Sequence, residues 1–234
     1  MRRSSVQQAM AKPRRRPPKG RPTPTQDQRS ARTRAAILAA AEAEFAAEGL
    51  SGARTDAIAR TAGVNKAMLY YHFESKQALY EAVIDDHFRE FNRQAMAVLE
   101  SDGPAGRVLM QYVAMHFDFI SSRHRYASLY QHLMMGGGGF MEKIVRRYFA
   151  PRAQAVDRLL ARGQRTGQFR RTHRAHTSIS IAALIVFYFS ASKVMELLHQ
   201  GADPYSKENL RLRKEEVMRF IQFALFTHPR EDAP

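Results

Sequence analysis

The sequence predicts an all-α fold of about nine helices. Apolar residues recur at helical spacing over most of the chain, and proline, which interrupts helices, occurs after Ser30 only at 104, 151, 204, 229 and 234. The sequence contains no tight turn flanked by two segments of alternating apolar residues, which is the pattern that would indicate a β-hairpin. A chain of 234 residues is long enough to bury one large core or two small ones.

The chain is strongly basic, and its charge is unevenly distributed. The formal net charge is +15 at pH 7, and residues 1–30 contain nine Lys or Arg against one acidic residue. Such an excess predicts a polyanionic partner. Residues 31–100 are nearly neutral, so charge alone does not locate a nucleic-acid site there. The absence of cysteine excludes disulfides, thiolate metal sites and cysteine nucleophiles.

Residues 1–28 are predicted to form a disordered basic arm. They are rich in Pro, Arg, Gln and Thr, and they contain almost no large apolar side chain whose burial would offset the entropy of ordering. The arm either neutralises DNA phosphates or is a solvated tail, and the sequence leaves both open. Because no apolar segment follows the charged start, we expect no secretory signal and a cytoplasmic location.

The first helix is predicted over residues 31–48. Ile37, Ala41 and Phe45 lie four residues apart, so they share one face of a helix. Gly49 follows as the residue expected to leave helical geometry through a positive φ. This is the clearest helix end in the sequence.

Two short helices are predicted next. Thr55 is the expected N-cap of the second helix, and Gly63 is expected to end it after about two turns. Asn65 is the expected N-cap of the third helix, in which Leu69 and Phe73 face the core because they are four residues apart. Two short helices joined by a three-residue turn that contains Gly form a helix-turn-helix motif.

A longer fourth helix, residues 75–100, is expected to connect a helix-turn-helix domain (29–75) with a second helical domain (101–234). The segment "SDGP" at 101–104 ends it. Five more helices are expected at about 105–122, 125–135, 140–165, 175–199 and 206–227.

The apolar run from Ile179 to Ser192 is shorter than the roughly 18 to 20 residues that a membrane span needs. It therefore favours a buried helix, and we expect no membrane partner.

The outer face of the third helix is expected to bind DNA. Adjacent residues on a helix point about 100° apart, so Tyr70 and Tyr71 cannot both face the core beside Leu69 and Phe73. In a helix-turn-helix the first residues of the second helix of the motif reach base edges, while nearby hydroxyls and amines hold phosphates. The alternative, in which the aromatic residues of "LYYHF" form a core stripe, we accept for Leu69 and Phe73 only.

The stretch "TDAIARTAGVNKAMLYYHFESKQALYEAV" resembles the DNA-binding signature of TetR-family transcriptional regulators, over about residues 31–83. At Asn65 that family more often has Ser, and at Lys66–Ala67 a Gly is frequent. Both differences bear on which operator sequence is read. The resemblance implies that base edges and phosphates are contacted by two groups of residues. The residues nearest the bases are Asn65, Lys66 and Ala67. The residues that contact phosphates are Thr55, Tyr70, Tyr71, His72 and Lys76.

A ligand cavity is expected in the second domain, mainly because the resemblance implies one. Residues 109–149 are crowded with Met and aromatic side chains, most of which must be core, but Met adapts to irregular cavities and Tyr adds a hydroxyl. The expected inducer is a small apolar or amphipathic molecule. The candidate lining residues are Met115, Phe119, Tyr130, Met134 and Phe149. The segment "MMGGGGF" at 134–140 is a connector or a gate over this cavity.

A homodimer is expected because one recognition helix buries too little surface for a specific operator complex. The resemblance places dimerisation on the late helices, which are apolar on most sides. The candidate dimer residues are Ile181, Leu184, Ile185, Tyr188, Phe220, Ile221 and Ala224.

The sequence predicts no enzyme, no cofactor and no metal site. His173 and His176 have a usable helical spacing, but no third ligand lies near them in the sequence. No nucleophile elbow, zinc motif or dinucleotide loop is found. The chain is therefore expected to be a ligand-responsive, DNA-binding transcriptional regulator, most simply a repressor on a palindromic operator. The alternative is an architectural DNA-binding protein without a small-molecule ligand.

Overall fold

A computed structural model describes residues 25–136, 138–198 and 200–228. These residues form α-helices joined by short loops, so the all-α prediction is confirmed. A π-helical turn, Val145–Phe149, joins two of the helices. The α-helices are α1 (Gln26–Gly52), α2 (Thr55–Ala62), α3 (Lys66–Phe73), α4 (Lys76–Leu99), α5 (Ala105–Ser121), α6 (His124–Gly136), α7 (Gly138–Ile144), α8 (Ala150–Arg165), α9 (Arg174–Ser190), α10 (Ser192–Leu198) and α11 (Lys207–Leu225).

Helix α1 begins five residues before its predicted start. Thr25 caps it through a capping box, in which its hydroxyl accepts from the Gln28 amide at 3.3 Å and the Gln28 side chain accepts from the Thr25 amide at 3.0 Å. The predicted arm therefore does not reach residue 28, and its residues 1–24 lie outside the described part of the chain. Near the other end, Gly49 has φ +64°, which interrupts the helix where the sequence predicted its end.

The caps of the next two helices match the prediction at two of three residues. Gly63 ends α2 with φ +69°, and Asn65 caps α3 by accepting the Met68 amide at 2.7 Å. Thr55 is not the N-cap of α2, as predicted, but its first helical residue, and the N-cap Arg54 makes no side-chain cap bond. Thr55 is instead buried, with its hydroxyl 3.3 Å from the Tyr70 hydroxyl.

Helix α4 connects the two halves of the chain. Ser75 caps it by accepting the Ala78 amide at 3.0 Å. Its buried side chains run along its whole length. Tyr80 near its start packs on Phe45 of α1, with ring centroids 5.1 Å apart, and Leu99 at its end lies with residues of α8, so a single core continues from the N-terminal helices into the C-terminal ones.

The predicted helix 175–199 is two helices. The chain leaves helical geometry at Ala191 (φ −100°, ψ 20°), and the axes of α9 and α10 differ by 69°. The carbonyl of Ser190 at the break accepts a hydrogen bond at 2.9 Å from the side chain of Gln131 on α6, which compensates for the lost helical bonding. Within the described residues no single helix has the length and apolarity of a membrane span; α9 and α10 meet those criteria only as a bent pair.

Candidate DNA-binding surface and effector cavity

The N-terminal half of α3 faces away from the core. Leu69 and Phe73 are buried, as predicted, whereas the side chains of residues 65–68 and Tyr71 are exposed. Tyr71 is 79% exposed. The Tyr71 ring lies against the ring of His72, with centroids 5.3 Å apart. Because its apolar face is sealed, α3 presents polar and aromatic groups that are free to contact another molecule.

Two contacts between α2 and α3 fix the geometry of this surface. The Tyr70 and Thr55 hydroxyls are 3.3 Å apart, with Thr55 buried and Tyr70 half-buried. The Lys66 ammonium pairs with a carboxylate oxygen of Asp56 at 3.0 Å. Asp56 was not among the predicted site residues, because only the folded turn brings it beside Lys66. Both members of that pair are exposed, so it contributes little to stability.

Lys76 lies at the junction of α4 with the end of α1. Its ammonium donates to the carbonyl oxygen of Ser51 at 3.0 Å, and the side chain is half-buried. The contact holds the start of α4 beside the residues that follow Gly49. Lys76 thus has a structural contact besides any contact with DNA.

A cavity of about 430 Å³ lies among α5, α6, the π-helical turn, α8 and α9. Its volume is within the range of small-molecule sites. Two of the five predicted lining residues, Tyr130 and Phe149, are in its wall. The full lining is Tyr112, Tyr130, Phe149, Arg152, Ala153, Val156, Ser178, Ile179, Ala182, Ala183, Val186, Phe187 and Ser190.

The other three predicted lining residues lie elsewhere. Phe119 is buried in the core against Phe91, with ring centroids 5.0 Å apart. Met115 borders a separate surface recess, and Met134 is 38% exposed at the end of α6. Sequence reasoning favoured them because Met and aromatic side chains suit both a core and a cavity, and spacing alone does not separate the two.

A larger recess, of about 510 Å³, lies between the end of α4 and α8. Its wall is mainly charged and polar, with Glu100, Asp102, Arg158 and Arg165 among its side chains. Small-molecule sites are mostly apolar with a few polar groups. The smaller cavity is therefore the better candidate for an effector.

Arg152, from α8, is the charged group in the cavity wall. Its guanidinium carbon is 4.7 Å from the ring centroid of Phe91 and 5.1 Å from that of Phe149. Its Nη1 atom is buried and has no hydrogen-bond partner among the described residues. Nearby, burial and then the charge of Arg152 lower the pKa of His116 to about 3, so this histidine is neutral. Burial likewise raises the pKa of the Tyr112 hydroxyl, against the opposing effect of Arg152.

The late helices carry an exposed apolar face, but five of the seven predicted dimer residues are not on it. Ile181, Ile185 and Ile221 point into the monomer core and are at most 3% exposed, so they cannot form a dimer surface. Leu184 and Tyr188 are half-buried. The exposed apolar face of α9 and α11 consists of Ile179, Ala183, Phe187, Phe220, Phe223 and Ala224. Only Phe220 and Ala224 of this face were predicted.

Two polar contacts join the N-terminal helices to the cavity region. Glu42 of α1 approaches His87 of α4 at 3.6 Å and Arg125 of α6 at 4.0 Å. In the second contact, Asp85 of α4 accepts a hydrogen bond at 2.7 Å from Tyr148 in the π-helical turn. The hydrogen bond to His87 lowers the pKa of Glu42, which keeps it ionised near neutral pH.

The described residues contain no group of three His, Asp or Glu side chains arranged to hold a metal ion. The rings of His173 and His176 do meet, with centroids 4.6 Å apart, but as a pair. They lie at the start of α9, among exposed side chains.

Two family models match the chain. "Bacterial regulatory proteins, tetR family" matches residues 37–83, which run from α1 into α4 and include α2 and α3. "Tetracyclin repressor-like, C-terminal domain" matches residues 104–221, which include α5 to α10 and most of α11. Residues 84–103, between the two matches, comprise most of α4 and the loop that leads to α5.

Known proteins with similar sequences or structures are bacterial regulators. The HTH-type transcriptional repressor NicS of Pseudomonas putida is 30% identical over 174 residues, covering 73% of this chain and 82% of NicS. The structure of the ketosteroid transcriptional regulator KstR2 of Mycobacterium tuberculosis matches with a TM-score of 0.69 at 17% identity, over 83% of this chain and 95% of KstR2. A TetR/AcrR-family regulator from Thermobifida fusca matches with a TM-score of 0.61 at 19% identity, over 80% and 95%. The two structures show a shared fold.

Proposed function

Because the chain belongs to the TetR family of bacterial transcriptional regulators, we propose that it is a dimeric, cytoplasmic repressor that leaves its operator when a small molecule occupies the cavity. Membership in this family of regulators confirms the prediction that the chain is not an enzyme. The observation that carries the proposal is the surface of α3. Its apolar side is buried in the core, and residues 65–68 and Tyr71 are exposed. NicS is named a repressor, which supports repression as the direction of control.

Each exposed residue of α3 has a role in this proposal that follows from its chemistry. Lys66 donates to the O6 and N7 atoms of guanine, and Ala67 contacts a thymine methyl group. Asn65 lies beside them at the helix N-terminus. Tyr71 and His72 bind phosphates, and the dipole of α3 adds a favourable term for any phosphate near its N-terminus.

Thr55, Tyr70 and Lys76 complete the phosphate contacts. The paired hydroxyls of Thr55 and Tyr70 are held by α2 and α3 together, so a phosphate meets two groups that are already oriented. Lys76 reaches DNA from the start of α4. Because Asp56 holds the Lys66 ammonium beside α3 before DNA arrives, the side chain loses less rotamer freedom on binding a base.

Substitution of Lys66 by Ala is expected to reduce the preference for the operator over other DNA. Substitution of Lys76 by Ala is expected to lower the affinity for all DNA sequences alike. Loss of a base contact costs about 1 to 3 kcal/mol, or roughly 5- to 150-fold, on the operator only. Loss of a phosphate contact lowers affinity uniformly and reduces the salt dependence. The measurement is binding at fixed salt to a duplex selected from random DNA and to an unselected duplex.

Asp56→Asn is the matched control for Lys66→Ala, because it removes the same ion pair and leaves the amine. It is expected to retain operator preference. Equal losses on both duplexes for both lysine variants would contradict the assigned roles. A wild-type protein that enriches no sequence at all would instead support an architectural DNA-binding protein.

The proposed mechanism is a population shift between two arrangements of the dimer. Ligand contacts Tyr130 of α6 and Phe149 of the π-helical turn, and these elements meet α1 and α4 through Glu42 and Asp85. Movement of either contact changes the spacing of the two α3 helices. A coupling of about 1 to 3 kcal/mol, typical of allostery, lowers operator affinity roughly 5- to 150-fold.

Substitution of Glu42 by Gln is expected to weaken this coupling. The substitution keeps the size of the side chain but removes the charge that pairs with His87 and Arg125. Because the folded pKa of Glu42 is lowered, the contact stabilises the protein above the ordinary carboxyl pKa and is lost as the pH falls through the lowered value. The measurement is the ratio of operator affinities with and without an effector.

Glu90→Gln is the control, because Glu90 is a surface carboxylate that pairs with Arg93 on its own helix. An unchanged ratio in Glu42→Gln would remove this contact from the mechanism.

A further inference from the structure

Arg152 places a positive charge in the cavity wall without an opposing charge. Within the described parts of the chain Arg152 has no carboxylate partner. It shares a side-chain hydrogen bond with the Tyr112 hydroxyl, while Nη1 is buried without a hydrogen-bond partner. The other lining residues of the cavity are apolar, aromatic or serine. The guanidinium is therefore the one charged group of the cavity wall in the described structure.

The neighbours of Arg152 do not supply the missing charge. Burial raises the pKa of the Tyr126, Tyr130 and Tyr112 hydroxyls, so all three are neutral. His116 is buried and neutral. A buried charge that lacks a partner is costly, whereas the same charge with a hydrogen-bonded counter-ion is tolerated.

The contacts of the guanidinium with aromatic rings account for its faces but not for its edge. Phe91 and Phe149 lie within about 5 Å of its central carbon, the range of cation–π contacts. Such contacts use the flat face of the group. At the edge, the Tyr112 hydroxyl is one hydrogen-bond partner, but Nη1 still lacks an acceptor. A carboxylate accepts two N–H groups of a guanidinium in parallel.

We infer that the cavity binds an organic monocarboxylate with a flat or aliphatic apolar body, and that Arg152 is the residue that holds its carboxylate. This inference rests on the proposed function, since it names the class of effector for the same cavity. The body of the ligand lies along Ala182, Ala183 and Val186 of α9, where small side chains leave space. Tyr130 contributes a hydroxyl at the side of the cavity.

A single charge favours a carboxylate over a phosphate ester. A phosphate monoester carries close to two negative charges at neutral pH, and the described cavity wall has one cation and no second Lys or Arg. A neutral ligand leaves the guanidinium as it is now, without an acceptor at Nη1. The charge of the cavity therefore matches a monoanion.

The experiment compares matched pairs of probes on the full-length protein by isothermal titration calorimetry. The pairs are 2-naphthoate with 2-naphthamide and 4-phenylbutyrate with 4-phenylbutyramide, which differ in charge but little in shape. We expect at least one carboxylate to bind about 10-fold or more tightly than its amide, because a hydrogen bond to a charged group contributes about that much. Arg152→Met removes this preference, and Arg152→Lys retains part of it.

Arg146→Met is the matched control, because Arg146 lies in the same π-helical turn as Phe149 but is exposed and pairs with Glu142 at 3.6 Å. It is expected to keep the preference. Arg152 is half-buried and has no ion-pair partner in the described structure, so its removal leaves no opposite charge unpaired. Arg152→Met is therefore expected to melt no lower than the wild type. That melting temperature separates loss of binding from loss of structure.

Three results would overturn the inference: amides that bind as tightly as carboxylates, a preference that survives in Arg152→Met, or no binding by any of the four probes. Operator binding without effector is measured on the same preparations. Failure there would refute the proposed function, whereas a protein that binds its operator but ignores every carboxylate refutes only the ligand class.

Discussion

Replacement of both Phe187 and Phe220 by Glu is expected to give a monomer that binds the operator on the order of 100-fold or more weakly. Phe187 is 65% exposed on α9 and Phe220 is 59% exposed on α11, on the apolar face that the monomer does not cover. Two carboxylates in each copy would have to be buried without partners for the dimer to form. A monomer presents one recognition helix, and a single half-site binds far more weakly than two.

The measurement is sedimentation equilibrium beside operator binding at the same protein concentration. Met135→Glu is the control, since Met135 is 86% exposed at the end of α6 and lies outside the face. It is expected to remain a dimer. If the double variant also remains a dimer, the face formed by α9 and α11 is not the interface.

Phe187 and Ile179 belong to two surfaces at once. They are exposed on the apolar face, and they also line the cavity. A partner that covers this face would therefore close one side of the cavity. Linkage is reciprocal. If dimerisation changes the affinity for the ligand by some factor, the ligand changes the affinity of one copy for the other by the same factor. Phe220 does not line the cavity, so Phe220→Glu alone separates the loss of dimer from a change in the cavity wall.

The N-terminal helices were predictable because their signals are local. Asn65, Gly63 and Ser75 act within three or four residues of the chain, so the sequence specifies the caps without knowledge of tertiary contacts. Thr55 shows the limit of that reasoning. A threonine before a helix suits a cap, but a tertiary contact with Tyr70 places it one residue inside the helix.

The faces of α9 could not be predicted for a different reason. The helix is apolar on nearly all sides, so its periodicity does not distinguish the core side from the open side. Ile181 and Ile185 face the core. The exposed residues lie two positions away from them along the helix, at Ile179, Ala183 and Phe187. The cavity depends on packing in the same way. Arg152 follows a proline in an unremarkable stretch of sequence, and only the folded chain brings it between two aromatic rings.

Substitution of Gly49 by Ala is expected to lower the free energy of unfolding by about 2 kcal/mol and the melting temperature by about 4 to 8 °C. The backbone at Gly49 has φ +64° and ψ −177°, a region that only glycine adopts without strain. A methyl group on Gly49 would also lie 2.9 Å from Nδ1 of His132 on α6. The measurement is chemical denaturation monitored by circular dichroism.

Gly52→Ala is the matched control three residues away. A methyl group there meets only the Glu48 side chain, at 3.3 Å or more, and the backbone is not in the positive φ region. It is expected to change stability by less than about 1 kcal/mol. A Gly49→Ala variant as stable as Gly52→Ala would contradict the strain at Gly49.

The double variant Gly49→Ala with His132→Ala separates strain from crowding. Removal of the imidazole relieves the contact with the new methyl group but leaves the backbone strain, so the two substitutions are expected to be non-additive.

The junction of α1 and α6 also lies between the two proposed sites. Helix α6 carries Tyr130, which lines the cavity, and α1 carries the start of the DNA-binding unit. Crowding at the junction of α1 and α6 therefore acts on both sites at once. If the junction transmits the effector signal, Gly49→Ala changes the ratio of operator affinities with and without effector, and the added His132→Ala brings that ratio back toward the wild-type value.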